Sequence, residues 1–339
     1  IDEGVAYGEP FEKATTALRF DGIGARLDNV SIAKTGGTIT GAAFVGWDST
    51  YSFDADARHL PIERLALLAS SKVPLTGIAE FQAEGAGTFD VPRFDVRFHV
   101  NDLFYGEEGI GDVKGTLARR GKDLNGDVNA ASSRLTVTGN GRITLNPNYD
   151  SDLTFRFHDT SLDPYVRLFV PTLSPFTTAE ASGSIRLYGG LAGVDRLSVD
   201  STVDALDVKL FDYAVKNATP IHLTLDRQMV TLDELQLVGE DTRLRLSGTV
   251  SLNDERIALR AAGEANLGIL QGFFRNVRGS GRAAVTAAVN GPFRQPQLSG
   301  SATITDGRVR HFSLPHALDA VNGTIQFDSD GIRLDGVSA

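Results

Sequence analysis

The sequence predicts an all-β protein: an elongated, curled antiparallel β-sheet built from repeats of about 100 residues, each with a short helix. Three observations lead there. Apolar and polar residues alternate singly along most of the chain. Glycine is abundant, 36 of 339 residues, and gathers between and within the alternating runs. Three short apolar segments recur at nearly constant spacing.

GGTITGAAFVG (36–46) is the first well-marked run, and FDVRFHV (94–100) is the clearest. Successive side chains of a strand point to opposite faces. Phe94, Val96, Phe98 and Val100 therefore share one face, and Asp95, Arg97 and His99 the other. Further along, RLTVTG places Leu135 and Val137 together, and DLTFRFH does so for Leu153, Phe155 and Phe157. IHLTLD contributes Ile221, Leu223 and Leu225, and RLRLSG contributes Leu244 and Leu246. RIALRA offers Ile257 and Leu259, and TIQFDSDGIRLDG offers Ile325, Phe327, Ile332 and Leu334. Such one-sided runs indicate antiparallel sheet, since doubly covered parallel strands read as unbroken apolar stretches. TGNG (138–141), NPN (146–148), LND (252–254) and DSDG (328–331) read as turns. Links this short make sequential strands neighbours.

The helical candidates are LPIERLALLASS (60–71), LDPYVRLFV (162–170) and LGILQGFFRNV (267–277). Each follows an alternating run and opens on a leucine. Leu60, Leu162 and Leu267 lie 102 and 105 residues apart. The material around them also repeats. SRLTVTGNGRITL (133–145) matches TRLRLSGTVSL (242–252), and segment 36–46 plays the same part, each read as strand, glycine turn, second strand. Residues 182–213 align with 280–314, and 220–235 with 321–337. The implied organisation is a partial repeat 1–74, repeats 75–178 and 179–278, and a partial repeat 279–339. Three units of about eight strands, spaced ~4.8 Å, would extend roughly 100 Å. Linear growth of this kind does not close on itself. It leaves a trough whose apolar face needs a cover, because large exposed apolar patches are unusual.

Composition excludes several functions. A net charge of −10 argues against nucleic acid as a partner. With no cysteine, disulfides, thiolate nucleophiles and zinc–thiolate sites are ruled out. No run approaches the ~18 apolar residues of a membrane span. The chain opens without Met and stops without a tail, as expected of a piece of a longer protein. DGIGARLDN (21–29) lacks a dinucleotide fingerprint. DSDG and FDADA (53–57) lack calcium-loop spacing. His311 and His316 have no third ligand nearby, the other histidines fall singly on strands, and no GxSxG elbow occurs. Glu107 and Glu108 read as a solvated loop. No catalytic residue, metal site or cofactor is expected, and a single Trp without clustered acids makes a carbohydrate enzyme a poor fit.

The last 49 residues, GPFRQPQLSGSATITDGRVRHFSLPHALDAVNGTIQFDSDGIRLDGVSA (291–339), resemble the repeat signature of the AsmA-like/TamB family. The match is carried by Gly291, Pro292, Pro296, Leu298, Ser299, Gly300, Gly307, Val309, Leu318, Gly323, Ile325, Phe327, Gly331, Ile332 and Leu334. Weaker matches at 182–250 and 75–145 extend it over most of the chain. The resemblance implies a long curled sheet with a hydrophobic interior in the periplasm of a diderm bacterium. It also implies an N-terminal anchor in the inner membrane, missing from this stretch, phospholipid transfer toward the outer membrane, and an outer-membrane β-barrel partner for some members. On that reading the groove would be lined by Phe94, Val96, Phe98, Val100, Leu135, Val137, Leu153, Phe155, Phe157, Ile221, Leu223, Leu225, Leu244, Leu246, Ile325 and Phe327. Phe169, Phe273 and Phe274, on the short segments, would gate it or touch lipid, unless those segments simply cap the sheet. The rival expectation is a scaffold for outer-membrane protein assembly that pairs its edges with client strands.

Overall fold

A computed structural model describes residues 1–6, 8–66, 74–162, 176–272, 274, 276–313 and 315–339. The protein is all-β, and the twenty-two strands among the described residues lie antiparallel to their partners. The chain divides into two compact units, one of residues 1–155 with 190–192, the other of 156–189 with 193–339.

The first unit holds β1 (Asp2–Ala6), β2 (Glu9–Phe20), β3 (Gly24–Lys34), β4 (Gly37–Gly46) and β5 (Thr50–Pro61). It continues through β6 (Leu75–Thr88), β7 (Arg93–Tyr105), β8 (Glu108–Arg120), β9 (Asp123–Ala131) and β10 (Thr136–Thr144). Strand β11 (Asp150–Ser161) carries the chain into the second unit. There follow β12 (Thr177–Gly190), β13 (Leu197–Leu210), β14 (Tyr213–Asn217), β15 (Ile221–Asp226), β16 (Met229–Gly239) and β17 (Thr242–Ser251). The last are β18 (Arg256–Asn266), β19 (Val277–Pro292), β20 (Gln297–His311), β21 (Leu318–Asp328) and β22 (Gly331–Ser338).

The single alternation fixes register by placing like with like across the ladder. In the first unit one row runs Ile39, Ala57, Phe81, Phe98, Gly115, Val128 and Gly139 from β4 to β10. On the other face Thr40, Asp56, Gln82, Arg97, Thr116, Asp127 and Asn140 form a parallel polar row. The second unit repeats the plan, with Leu244, Gly263, Val285, Ala302, Ile325 and Leu334 in one row from β17 to β22.

Several glycines expected in turns lie inside strands. TGNG (138–141) is the middle of β10, and segments 36–46 and 242–252 are the single strands β4 and β17 rather than two strands about a turn. The reason is steric. A Cβ at Gly139 would come within 2.6 Å of the Phe155 ring, and one at Gly115 within 2.7 Å of Phe98. The missing side chain seats an aromatic ring from the adjoining strand. The NPN, LND and DSDG segments do turn.

The repeat has a structural counterpart. The register of β6 with β7 shifts at Gly77, that of β12 with β13 at Ser182–Gly183, and that of β19 with β20 at Gly281. Each of these strands follows one of the three short segments, and a bulge near its start adds local twist.

Of the first short segment, Leu60 and Pro61 close β5 and a 3-10 turn follows, Ile62–Arg64, with Ala66 helical after it; residues 67–71 lie outside the described residues. Residues 163–170 of the second segment fall outside the described residues. The third is a 3-10 helix, Leu267–Gly272, and Val277 already opens β19. Its tight winding suits close approach: a Cβ on Gly268 would meet the Tyr213 ring, and one on Gly272 the Leu210 side chain. Asn266 Oδ1 accepts the Gly268 N–H at 2.8 Å, capping the turn.

The fully buried side chains gather beside these segments. In the first unit they include Ala57, Leu60, Ile62, Val113 and Ala130. Lys34 is buried there too, and its Nζ donates to Glu9 Oε2 at 2.5 Å and to the Pro10 carbonyl at 3.0 Å. The same carboxylate accepts the Ala66 N–H at 3.0 Å, tying the capping turn to β2 and β3. In the second unit Leu267 packs with Ala283, Ile304 and Val321, while Ile269 packs against Leu210, Tyr213 and Val215. One six-residue helix thus touches both β13–β14 and β19–β20, strands far apart in the ladder, so the apolar face is concave there.

Candidate functional site: a one-sided apolar face

Burial falls off along the strands away from the capping segments. On β8 Val113 is 8% exposed and Leu117 36%. On β5 Leu60 and Ala57 are buried, and Phe53 and Tyr51 are half-buried. In the second unit Ile304 on β20 is buried, whereas Leu298 at the other end of the same strand is 51% exposed. The far part of each apolar face has no second protein layer among the described residues.

Phe94, Val96, Phe98, Val100, Val137, Leu153 and Phe155 share the apolar face of the first unit, and all are half-buried. Phe98, Leu117, Leu124, Ile143, Leu153 and Phe155 line an open apolar groove of about 150 Å³. Leu135 sits in the β9–β10 connection, not on a strand as expected: its carbonyl accepts the Ser132 N–H at 2.8 Å, closing a tight turn. In the second unit Phe157 lies beside Gly183, which leads across to Val203 and Ile221. Leu223 and Leu225 lie opposite Ser201 and Val199. Leu244 and Leu246 lie opposite Gly263 and Ala261, and Ile325 and Phe327 opposite Ala302 and Gly300. Phe169 and Phe273 lie outside the described residues. Phe274 is exposed, and its N–H donates to the Leu270 carbonyl at 2.9 Å.

Sequence reasoning missed the small residues that shape this surface. Gly85, Gly115, Gly126, Gly139 and Gly141 are as much part of it as the phenylalanines, since each accommodates a large neighbour. The signal is ambiguous: each sits at an apolar position of an alternating run, yet the same glycines also read as turn residues.

Most of the charge lies on the other face; Arg119, opposite Phe94, and Lys34, buried under the capping turn, are exceptions. On the polar face Arg120 Nη2 donates to both Asp95 carboxylate oxygens, at 2.7 and 2.8 Å. Hydrogen bonds from Arg58 and Gln82 hold the Asp56 carboxyl below the usual carboxylate range. A polar groove of about 610 Å³ lies over β5–β9, with Arg58, Glu80, Arg97, His99, Lys114 and Asp127 around it. Opposite charges alternate in it, and no group of three potential metal ligands occurs among the described residues. Buried Tyr213 donates to the Glu240 carbonyl at 2.8 Å and receives the Thr242 hydroxyl. Burial raises its pKa above 10.0, the charges of Glu240 and Asp241 add to that, and the Thr242 contact opposes it. It is a structural node beside the Leu267–Gly272 helix.

No helix among the described residues is long and apolar enough to cross a membrane. Comparison of the chain with family models, curated proteins and solved structures gives no match.

Proposed function

We propose that the chain is a non-enzymatic lipid carrier whose apolar face holds phospholipid acyl chains while the head groups stay in water. The observation that supports it is the row of Phe, Leu, Ile and Val side chains left half-buried on one face of each unit. Acyl chains gain roughly 0.8 kcal/mol per buried CH₂ on such a surface. With no charge at its centre, nothing there pins a chain in place. The resemblance to the AsmA-like/TamB family supplies the setting: a periplasmic bridge from an inner-membrane anchor toward the outer membrane, where some members of that family have a β-barrel partner.

Native mass spectrometry and lipid extraction on protein from envelope-targeted expression test the reading. Wild type should carry phospholipid, and the Phe98→Glu/Phe155→Glu variant should lose it while keeping its β circular dichroism. A lipid-free, folded wild type would sink the proposal.

A further inference from the structure

In the first unit the strand ends away from the capping turn form a rim of hairpin tips at Asp21–Ile23, Trp47–Ser49, Phe89–Pro92, Gly121–Lys122 and Leu145–Tyr149. Backbone hydrogen bonds lace successive tips together. Trp47 N donates to Ile23 O at 3.0 Å, Phe89 N to Ser49 O at 3.1 Å, Gly121 N to Pro92 O at 2.8 Å and Leu145 N to Lys122 O at 2.7 Å. The tips are therefore held level with one another.

This rim is unusually apolar for turns. Phe20 is 68% exposed, Ile23 64%, Trp47 61% and Phe89 55%. Phe20 stacks on Trp47 with ring centroids 6.4 Å apart, and Phe89 packs on Tyr51 at 5.3 Å. The Trp47 indole N–H is turned inward, donating to the Asp21 carbonyl at 3.2 Å. The belt is also continuous with the apolar face: Phe20, Ala25, Val45 and Tyr51 form its outermost row. Arg119, the charged member of the neighbouring row beside Phe94, directs its Nε to the Gly121 carbonyl at the tip.

We propose that this rim seats in the interface of a lipid bilayer and is the edge by which acyl chains enter the apolar face. The inference rests on the carrier reading above and names its membrane contact. A level line of aromatic tips matches a planar boundary between water and hydrocarbon, where Trp and Tyr rings are favoured. A protein partner would call instead for a pocket or a shaped patch. The three aromatic tips each carry an aspartate, Asp21, Asp48 and Asp90. Asp21 accepts the Ile23 and Gly24 N–H groups, and Asp48 the Thr50 N–H and hydroxyl. Arg26 lies 3.8 Å from Asp21, and the Gly121–Lys122 tip adds a cation, so both signs occur along the rim and the bilayer addressed is zwitterionic.

Trp47 is the only tryptophan and reports on the rim directly. The purified 339-residue chain is mixed with phosphatidylcholine vesicles, plain or with brominated acyl chains, and with vesicles containing phosphatidylglycerol. Expected are a blue shift of Trp47 emission, quenching by the brominated chains, and no gain from phosphatidylglycerol. Ile23→Ser/Phe89→Ser, which keeps Trp47, should lower vesicle partitioning by about tenfold or more. The Phe98→Glu/Phe155→Glu variant should still bind vesicles although its groove is empty. Unquenched emission from a wild type that co-purifies with lipid would overturn the rim and spare the carrier. A blue shift that grows with protein concentration without vesicles would overturn it in favour of a second copy of the chain.

Discussion

Gly139 shows how a residue without a side chain directs this sheet. A Cβ there would lie 2.6 and 2.7 Å from two Phe155 ring atoms and 2.9 Å from a Val128 methyl. Gly139→Ala should therefore destabilise by about 1–3 kcal/mol, although alanine ordinarily stabilises a strand by roughly 0.5–1 kcal/mol over glycine. Adding Phe155→Leu should recover part of the loss, giving a coupling in a double-mutant cycle of urea denaturation. Simple additivity would mean that Gly139 does not serve as the seat for Phe155. At this scale the alternation was legible, and so were most of the residues that share the apolar face. The role of glycine was not. Gly-Asn-Gly has turn chemistry, and only the cross-strand partner, which lies 16 residues on at Phe155, reveals that no turn is made.

Among elements, the Leu267–Gly272 helix decides the most. It is too short to stabilise itself and persists because both neighbouring walls pack on it. Leu267, 7% exposed, contacts Ala283, Ile304 and Val321. Leu267→Ala should cost about 2–5 kcal/mol, measured by urea denaturation, whereas Leu298→Ala, at a 51% exposed site, should stay within about 0.5 kcal/mol. Equal losses at the two sites would contradict a core concentrated under the cap. The place of this segment was readable from Leu267. Its 3-10 winding was not, because the winding of so short an apolar run is set by what it packs between. The bulges at Gly77, Ser182–Gly183 and Gly281 each fall at a glycine, but so many strands carry glycine that the residue alone does not single them out.

In the second unit as a whole, the buried Leu244, Ala265 and Ile304 lie near the Leu267–Gly272 helix, and Leu298 at a far strand end is 51% exposed. Stability should be graded to match: in the second unit the amides of Leu244, Ala265 and Ile304 should exchange with deuterium at least about tenfold more slowly than those of Val250, Ile257 and Leu298. Uniform protection along these strands would contradict the gradient. All-β antiparallel architecture was legible at this scale because period-2 patterning survives without knowledge of partners, while the division near Phe155 left no mark in composition. The laced tips of the first unit carry a last consequence, for how such a chain can change over evolutionary time. A single-residue insertion in one hairpin would break two ties, to the tip before and the tip after. Adding or deleting an entire hairpin would leave the remaining ties intact. Length should therefore vary among descendants in steps of two strands, and isolated insertions should be confined to the opposite edge.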